Sequence, residues 1–277
     1  MKIKHLSPAL FLAALTASAQ PLFIDFSSQT SPNNAGYQAY RAANANASSF
    51  TAQSFSAFGT TVTIQPVWDI PAANASMRVV DRGTANVGQL GEKADLLRDW
   101  LGTDQRTSAG HSGSNPMTFT ISGLPAGTYQ WVSYHHDPND QTGIFEAYVQ
   151  DAKGTAGPMT VDISNGNLPL AGVTKWNTTL TSDGVNPVQL RFVGPSTITI
   201  VSQSFFVMNG FELTYLGLGS EWVSPGDGNW SEAANWGANG VPNSTTSLAL
   251  FGDSILAPST ITVDLPVTLT ALNFDSA

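Results

Sequence analysis

The stretch Ile121–Pro138, ISGLPAGTYQWVSYHHDP, restricts the possible folds more than any other part of the chain. Its first half is a bend, because Gly123, Pro125 and Gly127 supply positive and fixed φ values close together. From Thr128 onward the residues are β-branched and aromatic, which suits a pleated, half-buried strand. Alternation puts Tyr129, Trp131, Ser133 and His135 on one face, and Val132, Tyr134 and His136 on the other. One histidine is therefore expected in the core and its neighbour outside it. The strand, Thr128–His136, runs out into Asp137 and Pro138, and strand-end loops on a rigid scaffold commonly carry binding groups.

Further strands are expected at Leu22–Phe26, Thr61–Gln65, Met117–Ser122, Ile144–Gln150, Met159–Ile163, Val188–Val193, Ser196–Val201 and Phe205–Tyr215. Short alternating runs separated by Gly, Pro and Asn turns indicate an all-β sandwich. Ser27–Ala57 is rich in Ser, Asn, Ala and Gln with little periodicity, and reads as a long surface excursion. Glu92–Leu101 departs from the strand pattern: Leu96, Leu97, Trp100 and Leu101 fall at helical spacing, with Gly102 as a stop. This predicts one short helix whose apolar stripe, Trp100 included, packs on the sandwich.

The N-terminus has the order of a secretory leader. Lys2 and Lys4 precede an apolar run from Leu6 to Leu15, and Ala17-Ser18-Ala19 is a small-residue cleavage site before Gln20. The run is shorter than the ~20 residues a membrane span needs. A secreted or cell-surface location follows, with residues 1–19 removed. Loss of Lys2 and Lys4 leaves 9 basic against 20 acidic residues, a net charge of −11. That balance disfavours nucleic acid and anionic membranes as partners. The chain has no cysteine, so neither disulfides nor thiolate metal sites contribute.

Gly217–Glu221 reads as a linker, and residues 222–277 follow it with closely spaced Trp222, Gly228, Trp230, Asn235, Trp236, Pro242 and Asn243. The string from Glu221 to Asp253, with ITVDLPVTLTALNFDSA after it, resembles the opening unit of the autotransporter-associated β-strand repeat. The resemblance implies a rung of a β-solenoid, which needs neighbours to bury its apolar face, and a truncated unit here. Residues 20–216 carry LLRDWLGTD at Leu96–Asp104, LPAGTYQWVSYHHDP at Leu124–Pro138 and FFVMNGFELTYL at Phe205–Leu216. Together these resemble galactose-binding-like, malectin-like jelly rolls of secreted bacterial proteins. The fold expected is therefore an all-β jelly-roll sandwich with one short helix, followed by a partial β-solenoid unit.

That resemblance implies binding of an extracellular polysaccharide or glycan through loops at one end of the sandwich, often with a structural calcium, and no catalysis. Tyr37, Tyr40 and Arg41 could supply a stacking face and a polar contact, against the simpler reading of loop anchoring. His136 and Asp137 could rim the same groove. Adjacent His135 and His136 diverge, which argues against a transition-metal site. Asp25 and Glu212, on the first and last strands, are the calcium candidates. No carboxylate pair stands out for glycoside hydrolysis, and the Gly/Ser loop around His111 lacks the setting of a nucleophile elbow. Sequons at Asn46, Asn74, Asn177, Asn229 and Asn243 reflect the abundance of Asn, Ser and Thr. Two alternatives to glycan binding stand beside it: a structural envelope or matrix domain, and an accessory domain of a polysaccharide-degrading enzyme.

Overall fold

The computed structural model describes residues 20–69, 76–104, 116–194, 205–245, 247–252 and 254–274. The expected leader, the loop around His111, the expected strand at 196–201 and Asn74 lie outside the described residues. The first strands are β1 (Leu22–Ser27), β2 (Gln38–Arg41), β3 (Gln53–Ala57), β4 (Thr60–Trp68), β5 (Arg78–Asp81) and β6 (Asp99–Asp104). Helix α1 (Ala94–Arg98) precedes β6. Then come β7 (Met117–Ser122), β8 (Gly127–Asp137), β9 (Ile144–Asp151), β10 (Gly154–Asp162), β11 (Ser164–Asn165), β12 (Thr174–Ser182), β13 (Val188–Val193), β14 (Phe205–Met208) and β15 (Gly210–Gly217). The C-terminal part holds β16 (Gly219–Glu221), β17 (Gly228–Asn229), β18 (Leu248–Phe251), β19 (Ile261–Thr262) and β20 (Ala271–Phe274).

Two sheets form the sandwich. One runs β11-β8-β15-β1-β2, with β12 sharing the free edge of β8, and the other runs β10-β9-β13-β7-β4-β3. The second is antiparallel throughout. Alternation fills the space between them: Leu22, Ile24, Phe26, Trp131, Phe211 and Leu213 face Val62, Ile64, Phe119, Phe145, Leu190 and Phe192 in one core. Trp131 stacks on Phe211 at 4.2 Å between ring centroids, and Phe26 meets Phe119 across the sheets at 5.5 Å. The Tyr129 hydroxyl donates to the Pro125 carbonyl at 2.7 Å, tying the long strand back onto its own turn.

A small third sheet, β14-β6-β5, extends the sandwich near the His136–Asp137 end of β8. Here the sequence reading needs two corrections. The helix stops at Arg98, and Trp100 and Leu101 lie on β6, because pairing with β5 and β14 gives Asp99–Asp104 a full set of ladder partners that a longer helix would forfeit. Trp100 is core all the same, 3% exposed. The supposed surface excursion also folds inward: it supplies β2 and β3 and buries Tyr37, Tyr40 and Phe55.

The Asn209-Gly210 step joins the third sheet to the first. Buried Asn209 accepts the His136 N–H at 2.8 Å and donates to the carbonyls of Asp99 and His136, each at 2.8 Å. Gly210 has no side chain because any Cβ would strike the Ile24 backbone carbonyl of the neighbouring strand. The strand expected at Phe205–Tyr215 is accordingly split in two. The supposed linker is corrected as well, since β15 runs to Gly217 and Gly219–Glu221 is itself a strand. Beyond it, β16-β18-β20 and β17-β19 are parallel ladders, the geometry of a coil of stacked rungs. Trp222, Trp230, Trp236 and Phe251 pack as its core.

Candidate functional site

The residues singled out in the sequence are placed in three different surroundings. Tyr40 is fully buried in the sandwich core, its hydroxyl donating to the Thr51 carbonyl at 2.7 Å. Tyr37 packs on the far side of the first sheet, in a separate cluster with Leu96, Leu97 and Tyr134. Phe23 and the Lys93 ammonium cover its ring, at 5.5 and 4.5 Å from the ring centroid. Three positions apart on extended chain means opposite faces, so the two tyrosines form no joint stacking surface. Arg41 donates to the carbonyls of Ser28 and Ser31 at 2.7 and 3.0 Å, anchoring the β1–β2 connection.

His135 and His136 diverge as alternation requires, yet both are fully buried. His135 donates from Nδ1 to the Val207 carbonyl at 2.7 Å and accepts the Ser133 hydroxyl at Nε2, 2.8 Å away. Burial lowers its pKa to about 4, so the ring is neutral. The sequence placed His136 outside the core and at a groove rim; instead β11 closes over it, and its Nδ1 meets Ser164 Oγ at 3.0 Å. Burial lowers its pKa too. Asp137 is also corrected as a rim residue. It is fully buried and forms a bidentate ion pair with Arg82, both contacts at 2.9 Å.

A cavity of about 240 Å3 lies next to this strand end, lined by Asn46, Ser76, Arg78, Trp100, Asp104 and Phe205, with Gly102 and Thr103 between them. Register explains its shape. Arg78 pairs with Gly102 and Asp104 with Phe205, so Trp100, Gly102, Asp104 and Arg78 share one face of the small sheet. Because Gly102 lacks a side chain, the Trp100 ring lies across β6; a Cβ at that position would stand 2.7 Å from Trp100 Cζ3. Ser76 is fixed by Asp104, whose N–H it accepts at 3.0 Å. Arg78 is exposed and its side chain has no hydrogen-bond or ion-pair partner among the described residues.

Two larger grooves, about 450 and 410 Å3, flank Asp151 along the edge of the sandwich, lined by Thr178, Thr179 and Thr181 in one and Asn186 and Gln189 in the other. Neither has an aromatic wall. Ligand sites combine apolar surface with a few placed polar groups, and the smaller cavity has both. Sequence reasoning missed it, because treating Asp99–Leu101 as helix hid the one usable signal, the Trp100-x-Gly102 alternation of a strand with a gap beside its large residue.

The structural calcium implied by the family resemblance needs six to eight oxygen ligands, and the residues present do not fit it. Glu212 Oε1 already receives Lys93 Nζ at 2.7 Å, the Tyr134 hydroxyl at 2.8 Å and the Tyr37 hydroxyl. Burial works against its charge, but the ammonium and the two phenols hold its pKa below the usual carboxylate value. Asp25 lies on the neighbouring strand, its Oδ2 receiving the Asn34 N–H at 2.7 Å. Its Oδ1 is buried without a partner, yet among the described residues no three His, Cys, Asp or Glu side chains converge as a metal group. Burial instead raises Asp25 to about 7, with the Asn34 N–H opposing the rise.

The described residues thus define an all-β sandwich of two large sheets with a small polar and aromatic cavity beside one strand end. No protein-family model and no curated protein matches the chain. Similar solved structures include a family 35 carbohydrate binding module from Clostridium thermocellum, at 7% identity and TM-score 0.30, covering 59% of this chain and 98% of that one. The isomalto-dextranase of Arthrobacter globiformis T6, complexed with panose, is similar at 17% identity and TM-score 0.33, over 56% of this chain. The chain spans only 23% of that enzyme's length. The ANXUR1 extracellular domain from Arabidopsis thaliana is similar at 14% identity and TM-score 0.34, covering 62% of this chain and 53% of that one.

Proposed function

We propose that the chain is a non-catalytic carbohydrate-binding or adhesion module of an exported protein, holding one sugar unit of an extracellular glycan in the Trp100 cavity. The observation that carries this reading is the exposed, unpartnered Arg78 guanidinium beside the exposed Asn46 amide and Asp104, in a cavity walled by Trp100 and Phe205. A pyranose offers an apolar face for contact with a ring, and hydroxyls that both donate and accept. The guanidinium donates, and the amide both donates and accepts. At about 240 Å3 the cavity is below the ~300–1,000 Å3 of drug-sized sites, which suits one ring rather than a run of them. The reading includes no covalent step, no nucleic acid and no membrane partner; no helix among the described residues is long and apolar enough to cross a bilayer.

A glycan array probed with the chain from Gln20 onward tests this reading. The expected result is retention on one or a few related glycans. A blank array from protein shown to be folded by circular dichroism removes the reading and leaves that of a structural envelope or matrix domain in its place.

A further inference from the structure

Asp137 ends the strand that the sequence singled out, yet it does not line the cavity. Its two carboxylate oxygens collect donors from three directions. Oδ1 receives Arg82 Nε at 2.9 Å, Trp100 Nε1 at 3.1 Å and the Asn139 N–H at 3.4 Å. Oδ2 receives the Arg82 terminal NH2 and the Gln141 N–H, both at 2.9 Å. The two backbone amides come from the turn that follows the strand, so the carboxylate is fixed by its own loop before it meets either side chain. Arg82 also lies over the Trp100 ring, 5.3 Å from its centroid.

Trp100 has one polar handle, the indole N–H, and a broad sp³–sp² torsion about the bond to its ring. Packing holds the ring, which is 3% exposed and covered by the Arg82 guanidinium, but it does not by itself choose a direction for the N–H. Hydrogen bonding restricts it sharply, since turning the ring would leave a buried N–H unpaired, and that costs more than an ordinary hydrogen bond contributes. At its Cε3–Cζ3 edge the ring rests against Gly102, which offers no side chain to hold it. The hydrogen bond to Asp137 is the polar restraint that fixes which way the N–H points.

We propose that Asp137, together with Arg82, is a positioning residue that sets the attitude of the Trp100 ring and through it the selectivity of the cavity. The second half of this statement rests on the cavity being the ligand site; the first half does not. Asp137 gains a role that the sequence did not assign to it: it acts on a ligand through Trp100, without touching the ligand.

Indole ¹H–¹⁵N NMR separates the two halves. The chain has seven tryptophans, and loss of one signal in Trp100→Phe assigns the one of interest. In Asp137→Asn, an NH2 group faces donors where a carboxylate oxygen stood. The Trp100 signal is expected to shift and broaden while the other six hold their positions. Arg82→Lys, at a partly exposed side chain, keeps the charge but loses the two-point grip, and is expected to move the same signal even if Asp137→Asn fails to fold. Methyl pyranosides of glucose, galactose, mannose and xylose serve as probes. Binding of those that occupy the cavity is expected to weaken severalfold in Asp137→Asn, and by different factors for the different sugars. In a Trp100→Phe background the same change is expected to add nothing. A Trp100 signal unmoved in both variants, or all seven signals moving together, overturns the positioning role. Failure of every sugar to bind the wild type removes the cavity reading instead, and the ring signals still decide the role of Asp137.

Discussion

Trp131 shows how far a single residue could be read in advance. Period-two alternation from the Gly127 turn assigns it to the core, and it is fully buried, stacked on Phe211, with its indole N–H on Ser133 Oγ at 3.0 Å. Trp131→Ala is expected to cost ~3–5 kcal/mol in chemical denaturation; a variant as stable as the wild type would contradict the face assignment. Asp25 could not be read in the same way. Its environment is built by Asn34, Ser27 and Arg41, which come together only once the β1–β2 connection has folded. Burial raises its pKa from 3.8 to about 7, so the folded state binds the proton more tightly than the unfolded chain. That contribution is complete below pH 3.8 and is lost as pH rises through about 7. His135, lowered to about 4, works oppositely and loses stability as pH falls below 6.5, so the total curve conceals both groups. The difference between Asp25→Asn and wild type exposes one of them. The variant is expected to gain on the wild type between pH 4 and pH 8, by an amount on the order of a few kcal/mol. Urea unfolding at the two pH values measures it, and parallel curves would show that Asp25 stays ionised.

Among the elements, those with strict alternation and turn residues on both sides were legible: β7 and β13 have the bounds their sequences suggested, and β8 and β9 extend by one or two residues. β6 was not, because Asp99–Leu101 satisfies a helical spacing and a strand spacing equally well over so short a run. Pairing with β5 and β14 decides between them, and both partners are distant in sequence or weakly patterned. β12 was missed for another reason. Its Thr and Asn residues read as loop, and only Trp176, Leu180 and Ser182 point inward. Correct placement of β6 has a testable consequence at Gly102, where a Cβ would strike Trp100 and the Phe206 carbonyl. Gly102→Ala is expected to cost roughly 1–3 kcal/mol through overpacking, and to displace Trp100 into the cavity. Unchanged thermal stability together with an unmoved Trp100 indole signal would mean that β6 does not run as described.

On the scale of the whole molecule, the sandwich was readable while its site was not. Core residues announce themselves by period, but the cavity draws on Asn46, Ser76, Arg78, Trp100, Asp104 and Phe205, which only register brings together. The strand end at His136–Asp137 pointed to two side chains that burial takes, while the exposed groups of the proposed site line the cavity beside them. After Gly217 the chain pairs in short parallel ladders, unlike the antiparallel second sheet of the sandwich. The central claim is that the Trp100 cavity, not a tyrosine surface or a strand-end rim, is where glycan binds. Isothermal titration of the array-selected glycan against wild type and Arg78→Ala tests it most directly, because Arg78 is exposed and its loss leaves the core intact. The account predicts unchanged unfolding and affinity reduced roughly tenfold or more, as expected on removing a charged hydrogen-bond donor. Equal affinity for the two proteins would contradict it and send the site elsewhere on the molecule.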